Sequence, residues 1–365
     1  MEFALSDEQR MLSDVAQRFL TANAERPIAR GCDDLARQDW SQFAELGWLA
    51  LPFPESLGGL DGSAADVAVL AITLGQRYVL TPFIVTAVLG GTLGGLSKVG
   101  PTLIESVIAG EVRLAFAHEE DGDVQSRVVA RKRGDGFELV GRKFQVLAAQ
   151  LADQVFISAT DKEAGQSLVF LAPRDTPGMV WMAYPMLDGV MAADLELDQV
   201  YLPADALVLQ GEAADRAIEA AKDAATLAWL AEAVGVLESC LELCAEYLKQ
   251  RVQFGQPIGS FQSLQHIMAT MFVECQEARS VLYQALAHAD DDQASRQDAI
   301  SAAKVVIGQA IQLVSRYSIQ LHGGYGMTDE YLISHQYRRL FVLEKLGGDI
   351  YEHLTRLSRT IFPEV

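Results

Sequence analysis

The chain is short of several things that would define other kinds of protein. Its 365 residues hold four cysteines, Cys32, Cys240, Cys244 and Cys275, too few and too irregularly spaced for a disulfide scaffold. Cys240 and Cys244 stand four apart on a helical stretch and so share a face. No further Cys or His pair at ligand spacing completes a metal site there, so they read as two small core residues and no metal is expected. With 29 Gly and 11 Pro the sequence is too poor in both for a fibrous or low-complexity chain. Basic residues are scarce, 29 Lys and Arg against 49 Asp and Glu, which leaves a formal charge of −20. That field repels phosphate backbones and excludes nucleic acid as the main partner, while leaving room for one local basic pocket. No apolar run approaches the ~18 residues that span a bilayer, so no membrane is expected. The opening MEFALSDEQRML lacks the basic and apolar regions of a signal peptide, and the expected compartment is a reducing cytoplasm.

What is there is a globular composition. Half the residues are apolar, and at roughly 100–200 residues per domain the length predicts two or three cores. Ser6 followed by Gln9 is a capping box, and Leu12, Val15, Phe19 and Leu20 then recur at helical spacing. Trp40, Phe43, Leu46 and Trp48 mark a second short helix, ended by the loop LALPFPESLGGLDGS. Residues 64–98 return to helix, broken by Pro82 and by Gly90-Gly91. From Arg113 to about Leu207 short β-branched, alternating runs take over, punctuated by turns such as Gly134-Asp135-Gly136. Helical periodicity resumes in four long blocks, 216–250, 260–288, 293–321 and 330–362. The expected fold is therefore α+β, mostly α. It has an N-terminal helical domain (1–112), a middle antiparallel β barrel or sandwich (113–207) and a C-terminal four-helix bundle (212–365).

Two stretches carry chemistry. In RVQFGQPIGSFQSLQHIMATM, Gly255-Gln256-Pro257 breaks one helix and Gly259-Ser260 starts the next, so Arg251 sits in a last turn, at the negative end of the helix dipole. Gln253, Gln262 and Gln265 place amides, and Phe254 an aromatic face, beside its guanidinium. Such a set suits a planar heterocycle attached to a phosphate, although a bare C-terminal cation with a turn is the simpler reading of Arg251 alone. In IQLHGGYGMTDEY, Gly323-Gly324 stops a helix and allows close backbone approach. It follows a helix rather than a strand, so it is no dinucleotide fingerprint, and His322 taken alone reads as a satisfied structural histidine.

The pair R-x-Q-F-G-x-P-I-x-x-F-Q and Q-L-H-G-G-x-G, in this order within an α, β, α layout, resembles the acyl-CoA dehydrogenase family along essentially the whole chain. The resemblance implies FAD, an acyl-CoA thioester and α,β-dehydrogenation, with a carboxylate taking the α-proton. It also implies association, because the family binds the adenine half of each FAD with residues of a neighbouring subunit, and electron-transfer flavoprotein as the acceptor. Arg251, Gln253, Phe254, Gln262, Gln320 and Gly324 fall on those adenosine and pyrophosphate positions, with His322 and Gly323 beside them.

The flavin-ring side departs from the family. Its T-E-P-G-S-D-like segment reads AFAHEEDGDV, with His118 for Thr and Glu120 for Pro, while Glu119 survives. Its K-x-W-I-T reads Lys143-Phe144-Gln145-Val146-Leu147, so the ring-flanking Trp and a hydroxyl are lost. One family position for the base, 23 residues after Gly324, holds Gly347; the other, 26 before Arg251, holds Ala225. Neither is a carboxylate. Glu344 and Glu232 are weak substitutes: Glu344 lies ~60° around a helix from residue 347, and Glu232 lies ~10 Å along a helix from Ala225. Asp349 also stands near Gly347. A base is worth roughly 10²–10⁴ in rate, so no catalytic residue is assigned to this chain. The expectation is a non-catalytic subunit of a hetero-oligomer (a homotetramer being the alternative), completing the FAD site of a catalytic partner. It is similar to the smaller subunits of split bacterial dehydrogenases for bulky acyl groups such as steroid side chains. A homomeric enzyme with a displaced base, or a cofactor-free acyl-CoA-binding scaffold, are the other readings.

Overall fold

Ser6 opens the first helix as its spacing to Gln9 requires. Its hydroxyl accepts the Gln9 N–H and the Gln9 side chain accepts the Ser6 N–H, both at 3.1 Å. The helix, α1, runs Asp7–Ala22. The computed structural model describes residues 5–22, 40–122 and 127–361; Cys32 and residues 123–126 lie outside them. Two compact units divide the protein. A helical unit takes Met1–Arg30, Ser63–Val79 and Thr226–Val365, and a β unit takes Gly31–Gly62 and Leu80–Ala225. The N-terminal segment, expected as one helical domain, is thus shared between the two.

In the helical unit, α3 (Ala64–Gln76) starts from a second capping box, Ser63 with Asp66. It lies directly on α6 (Glu212–Gln250), because glycines remove the side chains at the crossing. A Cβ on Gly75 would stand 2.2 Å from the Glu232 carbonyl oxygen, and one on Gly235 would stand 2.1 Å from that of Ile72. One window of α6 is long and apolar enough to cross a membrane, contrary to the expectation from uninterrupted runs. It is 83% buried inside the protein, as a core helix is. After α6 come a hairpin of β9 (Val252–Gln253) and β10 (Gln256–Pro257) and then α7 (Gln262–Ala287). Met271, Cys275, Ala278, Leu282 and Ala285 form the buried stripe of α7, at alternating four- and three-residue steps that suit packing on α8 (Gln293–His322). The last expected helical block is two helices, α9 (Leu332–Lys345) and α10 (Ile350–Ile361). The chain turns between them through Gly347 (φ 74°) and Gly348 (φ 99°), a left-handed pair that glycine adopts without penalty.

The β unit begins with a short helix, α2, at residues 40–45. A π-helical stretch, Ile84–Gly90, runs directly into α4 (Gly91–Gly95), so Gly90-Gly91 is not the break it was expected to be. These glycines are contact points: a Cβ on Gly90 would meet Leu114 at 2.7 Å, and one on Gly91 the Phe53 ring at 2.5 Å. The helix α5 (Gly100–Ile108) precedes the sheet. The strands are β1 (Leu114–Ala117), β2 (Val129–Arg133), β3 (Gly136–Leu147) and β4 (Gln154–Asp161), then β5 (Ser167–Pro173), β6 (Met179–Pro185), β7 (Met191–Pro203) and β8 (Leu207–Gln210). Their order is β6-β7-β3-β2-β4-β5-β8, with β1 also paired to β4. The sheet is open and mixed: β1 and β2 both run parallel to β4, and every other pair in it is antiparallel. Phe137, Phe170, Leu139, Val155, Leu195 and their neighbours fill its core.

Candidate cofactor-binding site

The helical unit presents the first motif at its surface. Tyr247 O accepts the Arg251 N–H at 2.8 Å, which closes α6, and Arg251 O accepts the Ile258 N–H at 2.8 Å across the hairpin. Phe254 and Gly255 form the hairpin tip at φ 56° and 81°. Phe254 is 89% exposed and meets the Phe261 ring edge-on, 6.1 Å away. A bulky residue held at positive φ and pushed into water is doubly unfavourable, and such strain is retained at sites that meet a partner or ligand. Arg251, Gln253, Gln262 and Gln320 are all exposed. Gly323 (φ 59°), Gly324 and Gly255 have open space where a side chain would project.

The second motif joins the first through its rings. Tyr247 on α6 lies 4.4 Å from His322 and 6.4 Å from Tyr325, ring to ring, so the end of α6 and the turn after α8 meet at one end of the bundle. His322 does not share the exposure of the other residues of its motif. It is 3% exposed, its Nδ1–H donates to Ser318 O at 2.8 Å, and its Nε2 accepts from the Tyr331 hydroxyl at 3.1 Å. Burial lowers its pKa, which keeps this neutral tautomer. His322 therefore braces the turn and offers no group to a ligand. Sequence reasoning passed over Tyr325, in the unassigned place of G-G-x-G; it is 50% exposed.

The family's base positions hold no carboxylate and are crowded. Ala225 is fully buried. At Gly347 an added Cβ would stand 2.4 Å from Thr226 Oγ1, on a backbone at φ 74°. The turn around it is pinned from below. Lys304, 2% exposed, donates from Nζ to the carbonyls of Leu346 (2.7 Å), Glu344 (2.9 Å) and Leu343 (3.5 Å). Burial brings its pKa down to about 8. His353 donates through Nε2 to Gly347 O at 2.9 Å and accepts at Nδ1 from Ser301, 3.0 Å away. Both substitute carboxylates are engaged. Glu232 and Arg339 form a buried two-pronged pair at 2.7 and 2.8 Å. Glu344, 6% exposed, meets Lys345 at 3.0 Å and the Ile350 N–H at 3.4 Å. Asp349 caps α10, accepting from the N–H groups of Tyr351 and Glu352 at 2.9 and 3.0 Å.

In the β unit the segment after β1 is tied inward. Lys143, 2% exposed, donates from Nζ to His118 O (2.9 Å), Glu120 Oε1 (2.6 Å) and Ser158 Oγ (3.0 Å). The Phe144 N–H donates to Glu119 O at 2.9 Å. An ammonium only donates, so Ser158 accepts from Lys143 and turns its own proton to His118 Nδ1, 2.9 Å away. Burial first, then the cations Lys222 and Lys143, push the His118 pKa down to about 3. Gln145, at φ 50°, donates its N–H to Asp194 at 3.0 Å.

These two halves test whether FAD fits the residues present. The outward amides, guanidinium, aromatic face and open glycine backbone of the helical unit fit the adenosine diphosphate half. The ring half offers less: the Thr hydroxyl of the family is replaced by His118, and the carbonyls of His118 and Glu119, the His118 Nδ1 and Glu120 Oε1 are bonded inside the β unit.

The family comparisons agree with the motifs. Residues 6–100 match the acyl-CoA dehydrogenase N-terminal domain and residues 215–362 the C-terminal domain, between them most of the chain. The chain belongs to the acyl-CoA dehydrogenase family, whose members are FAD-dependent oxidoreductases. It is 27% identical over 365 residues to the acyl-CoA dehydrogenase IpdE2 of Mycolicibacterium smegmatis, covering 98% of this chain and 100% of that one. Among solved structures it is similar to a variant of the steroid acyl-CoA dehydrogenase Tcur3481–Tcur3483, with 28% identity, 97% and 98% coverage and a TM-score of 0.85. It shares the fold of the ChsE4–ChsE5 complex from Mycobacterium tuberculosis, with 24% identity, full coverage of both chains and a TM-score of 0.90.

Proposed function

We propose that this chain is the non-catalytic subunit of a heteromeric acyl-CoA dehydrogenase. It completes the FAD site of a catalytic partner chain that supplies the base and the flavin-ring contacts. The observation that carries this reading is Gly347: the position holds no carboxylate to take the α-proton, and a side chain added there would crowd Thr226 Oγ1 at 2.4 Å on a left-handed backbone. The internally consumed ring segment and the outward Arg251, Gln253, Phe254 and Gln320 support it from the two sides. FAD, when bound in the assembly, supplies the oxidant for the acyl group. Arg251 would face its pyrophosphate, the glutamines its polar edges and the open Gly323-Gly324 backbone its approach. The reaction class is α,β-dehydrogenation of an acyl-CoA thioester with electrons leaving to an electron-transfer flavoprotein.

A bulky acyl group such as a steroid side chain is the proposed substrate, supported by the 28% identical steroid acyl-CoA dehydrogenase named from two chains. A cytoplasmic location goes with this reading. Co-expression with a neighbouring dehydrogenase-like gene is the test. The expected result is a stable complex active on acyl-CoA, in which neither chain alone turns over. A yellow homomer of this chain that oxidises acyl-CoA unaided would sink the proposal. The homomeric alternative needs Glu344 or Glu232 as base, and both are engaged, Glu232 in a buried pair with Arg339 and Glu344 with the half-exposed Lys345.

A further inference from the structure

Tyr325 is the most exposed of four clustered rings. Behind it lie Tyr331, 4.4 Å ring to ring, and Tyr247, 6.4 Å away with the ring planes 21° apart. Tyr331 is fixed by its hydroxyl on His322 Nε2, and His322 by Ser318 O and by the Tyr247 ring. A singly exposed aromatic is ordinary on a protein surface. This one differs in that its ordering is provided from behind by a buried histidine and two tyrosines, while half of it stays in water. Arg251 lies one helical turn beyond Tyr247, on the same side of α6, and Gly323 and Gly324 leave the backbone beside Tyr325 open. A braced aromatic face and a guanidinium, with open space over Gly323 and Gly324, at one bundle end suit a planar base joined to a diphosphate.

We infer that the Tyr325 ring is the stacking platform for the adenine of the FAD that this chain shares with its neighbour, and that His322 and Tyr331 are its positioning residues. This rests on the reading that the helical unit serves the adenosine half of a flavin site. The hydroxyl of Tyr325 has no part in stacking, so the face and not the phenol is the binding element. That choice separates the role from a hydrogen-bonding one.

The test uses the assembly as purified, this chain with the dehydrogenase chain that accompanies it, stripped of flavin and titrated with FAD or with FMN, which lacks the adenosine. Tyr325→Leu is expected to weaken FAD about tenfold, the loss of one base–aromatic stack, and to leave FMN unchanged. Tyr325→Phe stays within about twofold of the unmodified protein, because the π-face is kept. If Tyr325→Leu weakens FAD and FMN alike, the ring is a structural prop and the inference falls. If Arg251→Ala weakens FAD while Tyr325→Leu does not, the inference falls and the functional reading stands. If neither substitution changes FAD affinity, the functional reading falls with it.

Discussion

Two regions that serve one cofactor in the acyl-CoA dehydrogenase family treat their polar groups in opposite ways here. In the helical unit Arg251, Gln253 and Gln320 stand in water beside a Phe254 that is strained and 89% exposed. In the β unit Lys143, Glu120, Ser158 and His118 are bonded to one another, and the carbonyls of His118 and Glu119 are taken as well. Polar groups left in water beside a strained, exposed aromatic are open to a ligand. Groups bonded to one another inside the fold serve the fold first. The difference teaches that polar groups of one family site can be tied into the fold on one side and left to solvent on the other.

Gly347→Glu tries to restore the base and should do the most damage. The left-handed backbone and the overlap with Thr226 together should cost about 3–5 kcal/mol, read from the denaturant midpoint, and no acyl-CoA oxidation by the chain alone should appear. Lys143→Met strands Glu120, Ser158 and the His118 carbonyl, and should cost about 2–4 kcal/mol in the same measurement without changing FAD affinity of the assembly. A drop in FAD affinity with Lys143→Met would break the comparison.

Acid should act on the satisfied side. His118 has a folded pKa near 3, below its ordinary 6.5, so between those values the unfolded chain binds a proton that the folded chain does not. Stability from this group is complete above pH 6.5 and is lost as the pH falls toward 3, with a slope of up to about 1.4 kcal/mol per pH unit. His322 and His353 are lowered by burial and add in the same direction. His118→Gln should flatten that acid limb in a urea titration run at several pH values. The smallest effect belongs to the exposed side: Phe254→Gly should change stability by no more than about 1 kcal/mol, since relief at φ 56° offsets the added chain freedom. It should still weaken FAD in a flavin titration.

Much of the fold could be read from local patterns. The Ser6–Gln9 capping box, the β block from residue 113 and the bundle beyond residue 212 are written in hydrogen-bonding side chains and periodicity, which act over a few residues. What escaped depends on contacts distant in sequence. Gly90-Gly91 reads as a helix break, but Leu114 and Phe53 approach so closely that glycine is needed inside a continuing helix. β1 and β2 run parallel to β4, a pairing that no turn signal encodes. The site divides likewise. Arg251 and Phe254 sit on a hairpin that Gly255 and Pro257 announce. Tyr325 hides in a motif's variable place, because its weight comes from Tyr247, 78 residues earlier in the chain. The family motif groups His322 with the cofactor residues, and only the Ser318 and Tyr331 contacts turn it inward.

The central claim is that this chain serves a neighbour's flavin and holds none of its own. The direct measurement is the flavin content of the purified assembly, from released FAD against the amount of each chain, with the native mass of the same sample. The predicted result is one FAD for every two chains, bound to the complex and absent from this chain isolated. One FAD per chain, or a yellow homomer of this chain alone, would contradict it.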